Sequence, residues 1–390
     1  MAAAVAAAVA EVAAVAAAVD RVGLGWRPQL GSAILAHLDQ IDLVEVIADD
    51  YFNASASKLD SLRILASQTP ITLHGIGLGM ASTVPVEKKR LAKMARLVEQ
   101  LRPEAWSEHL AFVRAGDIEI GHLAAPPRNA QSLNATLTNL ETASRIVGER
   151  PHMENVATLI DPPGSTMGES DWLAQVVQES NCPLLLDLHN IYTNGVNIGY
   201  DPFEMLASLP LHQVGAIHIA GGRWMEDRIL DDHLHDVPEP VYQLLQFVAS
   251  RTPQALTVIL ERDGEYPSMA SLLEQLDRAR AAMEIGRAEA AEEVEKSVRC
   301  TIEAGGEIFS TPGFEAVLAR LYSDSGFRQR FIESPAAMLA ESGLSGNQCN
   351  ALASMDRKAL LLAAKSFAHK RESKGKGIHK PFFQRLFGSR

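Results

Sequence analysis

The feature that most constrains the fold is a regular alternation of short apolar runs and longer amphipathic stretches between Arg21 and Arg280. This rhythm indicates βα units wound into a parallel sheet. Eight stretches have the character of strands: Val22–Trp26, Leu43–Ile47, Ile71–His74, Trp106–Leu110, His152–Val156, Leu184–Leu188, Gly215–Ile219 and Leu256–Glu261. Eight strands in about 260 residues fit a (β/α)8 TIM barrel, although a doubly wound open sheet shows a similar alternation. We predict the barrel.

Composition limits the class of protein. The 390 residues are 47% hydrophobic, enough for one barrel-sized domain and a smaller one. Thirty-six basic and forty-eight acidic side chains give a net charge of −12, which argues against nucleic acid or an anionic membrane as partner. The 3 cysteines, an odd number, form neither a disulfide framework nor a CxxC clip, so we expect a cytoplasmic protein.

Changes in composition divide the chain. We expect a low-complexity Ala/Val extension at 1–20, a barrel domain at 21–280, a helical linker at 281–312, a small all-α accessory domain at 313–369 and a basic tail at 370–390. The extension lacks the basic residues of an export signal and is interrupted by Glu11. Apolar residues at helical spacing predict helices at Phe314–Leu321, Gly326–Glu333, Ala336–Glu341 and Asn347–His369.

Polar side chains of metal-binding types stand at, or just after, the C-terminal ends of most of the expected strands. Five histidines and four carboxylates share that position: His74, His109, His189, His218, His233, Glu154, Asp187, Asp231 and Glu261. Because the C-terminal ends of parallel barrel strands open on one face, these distant residues would converge on one pocket. Burying so many ionisable groups together is costly unless something neutralises them.

A bound cation is the simplest neutraliser, because carboxylates and neutral imidazoles then become ligands. One histidine at a strand end more often serves packing, whereas many at corresponding positions favour ligation. A nitrogen and oxygen set without cysteine suits catalytic iron, manganese or zinc. Since one open catalytic metal takes about three or four protein ligands, we expect at least two metals. The glycines of HGIGLGM do not complete a dinucleotide-binding loop.

Several motifs in order resemble those of the domain-of-unknown-function family 692, the multinuclear non-heme iron-dependent oxidative enzymes typified by the catalytic subunit that builds methanobactin. The resemblance runs from Val22 to Leu276 and rests on VGLGWRP, LHGIGLGM, WSEHL, ENVAT, LLLDLHNIYTN, IHIAGG, DDHLHDVPEPV and LERDGEYPS. It implies a TIM barrel with two or three irons, a mixed-valent iron pair and dioxygen as co-substrate. It further implies oxidation of Cys, Asp or Asn in a ribosomally made precursor peptide, commonly with a partner protein that recognises the peptide.

The resemblance also assigns roles to individual residues. The implied ligands are His74, His109, Glu154, Asp187, His218, Asp231, His233 and Glu261. His189 stands where some members have Asn, which leaves both two and three irons open. Asn155 and Asn190 match pocket positions, and Asp232, where Ser or Thr is usual, is interpreted as an orienting neighbour of the ligands.

Three further assignments complete the expected site. We expect Asp231, His233 and Glu261 to be catalytic. Arg223, Arg262 and Asp263 are expected to hold substrate at the rim, with surface ion pairing as the alternative. For the helical C-terminal region we expect leader-peptide recognition, with oligomerisation or barrel capping as the alternative. The competing enzyme class is a xylose-isomerase-like barrel, an isomerase or endonuclease that uses divalent metals, and a metal-storage protein ranks third.

Overall fold

The computed structural model describes residues 19–115, 118–303, 311–340 and 342–376, and the side chains among them outside 294–303 and 369–376. The chain forms a closed barrel of eight parallel strands in the order β1-β12-β9-β8-β7-β4-β3-β2. The barrel strands are β1 (Arg21–Trp26), β2 (Val44–Ile47), β3 (Ile71–Gly75), β4 (Trp106–His109), β7 (His152–Glu154), β8 (Leu184–Asp187), β9 (Val214–Ile219) and β12 (Thr257–Leu260). The predicted TIM barrel is confirmed.

The barrel strands form because both of their faces are buried. Leu184, Leu185 and Leu186 on β8 are each at most 1% exposed, as expected for a parallel sheet between an interior and a helical layer. The α-helices described in this part of the chain are Gly31–Leu35, Ala56–Ala66, Lys88–Leu101, Ala130–Val147, Glu169–Ser180, Leu188–Asn194, Pro202–Ser208, Glu239–Arg251 and Met269–Glu303. Their apolar faces pack on the strands in one continuous core.

Two antiparallel hairpins, which the alternation of the sequence did not predict, follow barrel strands. The first joins β5 (Phe112–Ala115) to β6 (Ile118–Ala124), and the second joins β10 (Arg223–Met225) to β11 (Arg228–Leu230). Residues of β6 and β10 are mostly exposed. Strands with little burial carry no clear hydrophobic pattern, which explains why the sequence did not reveal them.

The contacts divide the chain into two compact units, which meet in sequence between Val294 and Glu295. The second unit contains the helices Pro312–Ser323, Ser325–Glu333, Pro335–Ala340, Gly346–Ala353 and Arg357–Lys376. Its core is formed by Leu321, Phe327, Phe331, Leu339, Leu352 and Leu360. The helical character predicted for this region is confirmed.

One predicted helix of the second unit is wrong in extent. The expected helix Asn347–His369 is split, because Gly346–Ala353 ends and Arg357–Lys376 begins after a break. The carboxylate of Asp356 accepts hydrogen bonds from the backbone N–H groups of Lys358 and Ala359 and so caps the new helix.

Other boundaries are only partly covered by the described residues. The helix Met269–Glu303 runs without interruption through Arg280, where the sequence predicts the barrel domain to end. The Ala/Val extension at 1–18, part of the linker at 304–310 and the basic tail at 377–390 lie outside the described residues. Over the part of the chain that is described, no helix combines the length and apolar character needed to cross a membrane.

Candidate metal centre

Three residues at the ends of neighbouring strands form what we name the first ligand group. His74, His109 and Glu154 are buried, and His109 lies opposite Glu154 in the strand pairing. Oε2 of Glu154 lies 3.5 Å from Nε2 of His74 and 3.2 Å from Nε2 of His109. Nδ1 of His74 contacts Oγ of Ser107 at 2.8 Å, and Nδ1 of His109 contacts the carbonyl oxygen of Gly75 at 3.3 Å. Such outer contacts orient histidine ligands at metal sites.

The second ligand group shares Glu154 with the first and adds Asp187, His218 and Glu261. The ligand atoms of these four buried residues all lie within 4.8 Å of one another. Nδ1 of His218 lies 3.3 Å from Oε1 of Glu154 and 3.1 Å from Oε2 of Glu261. Asp187 lies opposite His218 in the strand pairing, so the register of β8 and β9 brings them together. One carboxylate therefore connects two groups.

The third ligand group contains His189, Asp231 and His233 and lies beside the other two. Oδ1 of Asp231 is 2.9 Å from both Nδ1 of His189 and Nε2 of His233. His233 has a φ of 53°, a left-handed conformation that non-glycine residues rarely adopt. Such backbone strain tends to occur where function fixes a side chain. Nδ1 of His233 also lies 3.5 Å from Oε2 of Glu261, which joins the third group to the second.

The distances between these side chains fit atoms that share a bound metal better than atoms that hydrogen-bond directly to one another. Two ligand atoms that are each about 2.1 Å from one metal lie about 3.0–3.4 Å apart. The contacts between His109 and Glu154 at 3.2 Å and between His218 and Glu261 at 3.1 Å fall in that range. Within the described residues, Oε2 of Glu154 and Oδ2 of Asp187 are buried without a hydrogen-bond partner. Buried polar atoms of this kind need a partner, and a cation would provide one.

The electrostatics of the cluster are those of closely packed opposite charges. Burial alone would lower the pKa of His109, but Glu154 and Glu108 raise it to about 9. Against the same effect of burial, carboxylates led by Glu261 raise the pKa of His218 well above its usual range. Burial raises the pKa of Asp187 well above its usual range, and Glu154 adds to the effect. Because metals bind neutral imidazole and ionised carboxylate, metal binding must displace protons here.

A cavity of about 1160 Å³ opens over the three ligand groups. Its lining includes ligand-group residues, namely His74, His109, Asp231, His233 and Glu261. The β5–β6 hairpin forms another part of the wall, with Phe112, Leu123 and His122. The cavity exceeds the usual size of a small-molecule pocket and brings a wide opening to the ligand groups.

The two residues at matching pocket positions, Asn155 and Asn190, and the expected orienting residue Asp232 have different surroundings. Asn155 exchanges two hydrogen bonds with the backbone of Asp187, at 3.0 and 2.9 Å, and so fixes the backbone of that residue. Asn190 donates to the Asn155 carbonyl oxygen at 3.0 Å and lines the cavity. Oδ1 of Asp232 accepts from the backbone of Leu234 at 3.1 Å and contacts Nδ1 of His235 at 3.0 Å.

The three residues expected at the rim are not brought together. Asp263 lines the cavity, contacts Nδ1 of His233 at 3.3 Å and pairs with Arg27. Arg223 is exposed on β10, with Nε 3.3 Å from Oδ2 of Asp232. Arg262 is buried and donates to the carbonyl oxygens of Gly264 and Glu265 and to Asp236, so its guanidinium fixes the loop after β12. The structure leaves Arg262 outside the lining of the cavity.

Sequence reasoning missed two carboxylates of the centre. Glu45 on β2 lies within ligand distance of His74 and His218, and Asp49, just after β2, lines the cavity. The signal for Glu45 was available, since a single acid in the apolar run LVEVI is unusual in a buried strand. Glu108, which the sequence places beside His109, is fully buried and accepts from the backbone N–H groups of Leu78 and His109.

The closed barrel places the chain among the TIM-barrel proteins, and its three ligand groups form a candidate metal centre at the C-terminal ends of the strands. The sequence profile described as RiPP precursor modification enzyme MbnB/TglH/ChrH matches residues 21–284, and the chain belongs to this family. RiPPs are ribosomally synthesised and post-translationally modified peptides. The predicted family resemblance is thereby confirmed at the level of peptide-modifying enzymes.

Individual relatives cover the same region. A UPF0276 protein of Bordetella bronchiseptica is 30% identical over 70% of this chain and 95% of its own length. A UPF0276 protein of Streptomyces avermitilis is 34% identical over 67% of this chain, which spans only 55% of that relative. The crystal structure of endonuclease IV from Thermus thermophilus is 16% identical, covers 68% of this chain and 99% of its own, and has a TM-score of 0.45.

Proposed function

We propose that this protein is a multinuclear non-heme iron enzyme that uses dioxygen to oxidise a residue, Cys, Asp or Asn, of a ribosomally made precursor peptide. The observation that carries the proposal is the sharing of Glu154 between the first and second ligand groups. A carboxylate shared in this way favours a pair of metals over isolated ions. Family membership supports a peptide as the substrate.

The donor set supports iron as the metal. Imidazole and carboxylate donors without thiolate suit iron in open catalytic sites, and zinc or manganese is the alternative that analysis must exclude. Bound iron would supply dioxygen activation and electron transfer, which the side chains of this set cannot provide. The first and second groups would hold the mixed-valent pair, and His189, Asp231 and His233 would hold a third iron.

The residues at the mouth of the centre are suited to contact the peptide. Asp231, His233 and Glu261 belong to the ligand groups and also line the cavity. We therefore assign them the catalytic contacts, in which they orient the reacting side chain toward the metals. Asp263 lies at the same opening and contacts His233, which makes it the best placed of the expected rim residues to bind substrate.

The size and walls of the cavity favour an extended peptide. Its apolar wall includes Val113, Leu123 and Leu159, while Arg114 and Glu119 on the hairpin form an ion pair at 2.9 Å. A segment of unfolded precursor can occupy such an opening, because extended chains bind through side-chain pockets and main-chain contacts. The peptide would present one residue to the ligand groups at the floor.

The C-terminal unit is proposed to bind the leader of the precursor. Leu361, Leu362 and Phe367 on the helix Arg357–Lys376 are exposed apolar side chains, at 41%, 61% and 40%. Exposed apolar residues on one helix are typical of peptide-binding surfaces. A separate peptide-recognition protein is the other arrangement, and Leu362→Asp separates the two: lower peptide affinity at unchanged metal content supports recognition by this chain.

The test uses full-length protein purified without oxygen after growth with iron, and co-expressed with short reading frames beside its gene. We expect two or three irons per chain, oxygen consumption that depends on peptide, and a peptide mass change that corresponds to two-electron or four-electron oxidation. Bound zinc or manganese with anaerobic turnover would instead favour an isomerase or nuclease. The widely spaced cysteines support a cytoplasmic site of action as part of this proposal.

A further inference from the structure

A buried acid lies one layer below the ligand groups, on a strand that carries no expected ligand. Glu45 of β2 is 2% exposed and pairs in register with Thr72 of β3, two residues before His74. Oγ1 of Thr72 donates to Oε2 of Glu45 at 3.4 Å. The interior of a TIM barrel is normally filled by branched apolar side chains, and an unpaired carboxylate is costly there. Glu45 therefore requires a specific explanation.

The other oxygen of Glu45 faces His218. Oε1 lies 2.8 Å from Nε2 of His218, whereas Nδ1 of the same ring lies 3.3 Å from Glu154 and 3.1 Å from Glu261. The shorter distance is that of direct polar contact, and the longer ones are those of two ligands around one metal. Nε2 of His218 forms no hydrogen bond with Oε1 despite this distance, so the contact is chiefly electrostatic.

The surroundings on the far side of Glu45 are polar and open. A cavity of about 240 Å³ at that end of the barrel is lined by Glu45, Thr72, Ser107 and His152 and by small residues such as Gly215. A cavity of this size and polarity can hold water, which would solvate the carboxylate from below. One oxygen of Glu45 can thus contact water while the other faces the imidazole.

We propose that Glu45 is a positioning residue: it holds the ring of His218 with Nδ1 toward the second ligand group and so sets the affinity of the metal bound there. A carboxylate behind a histidine ligand fixes the ring and raises its basicity. The competing role is direct ligation, because ligand atoms of Glu45, His74 and His218 also lie within 4.8 Å of one another. That role would require His218 to use Nε2 and leave Glu154 and Glu261.

The experiment is an anaerobic Fe(II) titration of the full chain against a chromophoric chelator, with Mössbauer spectra of the ⁵⁷Fe-loaded protein. Glu45→Gln keeps the size of the side chain and removes its charge. We expect about 10–100-fold weaker binding of one iron, an unchanged number of irons at saturation and a shifted signal for one iron. The control is Glu169→Gln, which alters a partly buried acid bonded to Asn194 and Tyr200.

A second variant protects the test against misfolding. Thr72→Val keeps the shape of residue 72 and removes the hydrogen-bond donor to Glu45. It is expected to weaken the binding of the same iron by a smaller factor than Glu45→Gln does. Unchanged iron affinity and spectrum in both variants, with only a lower unfolding temperature, would reduce Glu45 to a structural role and overturn the proposal. Loss of one iron even at saturation would make Glu45 a ligand and overturn it as well.

The inference rests on the proposed function only in assuming that the second ligand group binds metal. Unaltered protein that binds no Fe(II) would overturn both proposals. If the unaltered protein and both variants bind Fe(II) with the same affinity and give the same spectrum, only the role of Glu45 is overturned.

Discussion

Replacing Glu154 by Gln should disturb two metal positions at once. Its oxygens contact His74 and His109 in the first ligand group and His218 in the second, at 3.2–3.5 Å. The amide keeps the shape but removes the charge. Burial lowers the pKa of His109, but nearby acids led by Glu154 more than offset this and raise it from 6.5 to about 9, a net preference for the charged ring of about 3 kcal/mol.

The expected result has two parts. Without metal, Glu154→Gln should lower the free energy of unfolding at neutral pH by up to about 3 kcal/mol, measured by denaturant titration. With Fe(II), it should weaken the binding of the metals in the first and second groups together, which metal analysis after dialysis measures. Glu169→Gln, which lies outside these groups, should leave the metal content unchanged. A Glu154→Gln protein that retains every iron, or loses only one, would refute the claim that Glu154 is shared by the metals of the first and second groups.

Three other changes test separate parts of the account. Gly222→Ala should lower the metal content of the third group, because a Cβ there would lie 2.4 Å from the carbonyl oxygen of Leu230 and 2.8 Å from Cε1 of His189; an unchanged metal count would contradict this. Phe331→Ala should destabilise the C-terminal unit by about 3–5 kcal/mol in thermal unfolding and leave the barrel metals in place, since the ring is 1% exposed. Burial lowers the pKa of His152 to about 4, so the stability from its neutral ring is present above about pH 6.5 and is lost as the pH falls toward 4. Denaturant midpoints across that range should fall less steeply for His152→Gln than for the unaltered protein.

The strand ends were predictable because the same pattern, an apolar run that ends in a histidine or an acid, recurs along the chain. Short apolar runs ending in His74, Glu154 and Asp187 reveal both the strands and the face they share. The strand count favours a closed barrel, although a doubly wound open sheet shows a similar alternation. The grouping of the candidate ligands does not follow from the sequence, because only the register of neighbouring strands puts His109 opposite Glu154. His189 lies in the helix Leu188–Asn194 after β8 and belongs to a separate group.

Other parts of the centre had no such signal. The β5–β6 hairpin is largely exposed, so its residues show no core pattern although they form a wall of the cavity. Arg262 is adjacent in sequence to Asp263, yet its buried guanidinium fixes a loop while Asp263 faces the opening. Glu45 points inward one layer below the ligands, which depends on the tilt and register of β2. Side-chain direction at this level is a property of tertiary structure.

The most direct measurement of the central claim is anomalous diffraction at the iron edge from crystals of the full chain, grown without oxygen in Fe(II). The account predicts one peak within the first ligand group and one within the second, each about 2.0–2.2 Å from its ligand atoms, with Glu154 bound to both. A further peak among His189, Asp231 and His233 would establish the third iron. Crystals with no anomalous density between these side chains would contradict the account.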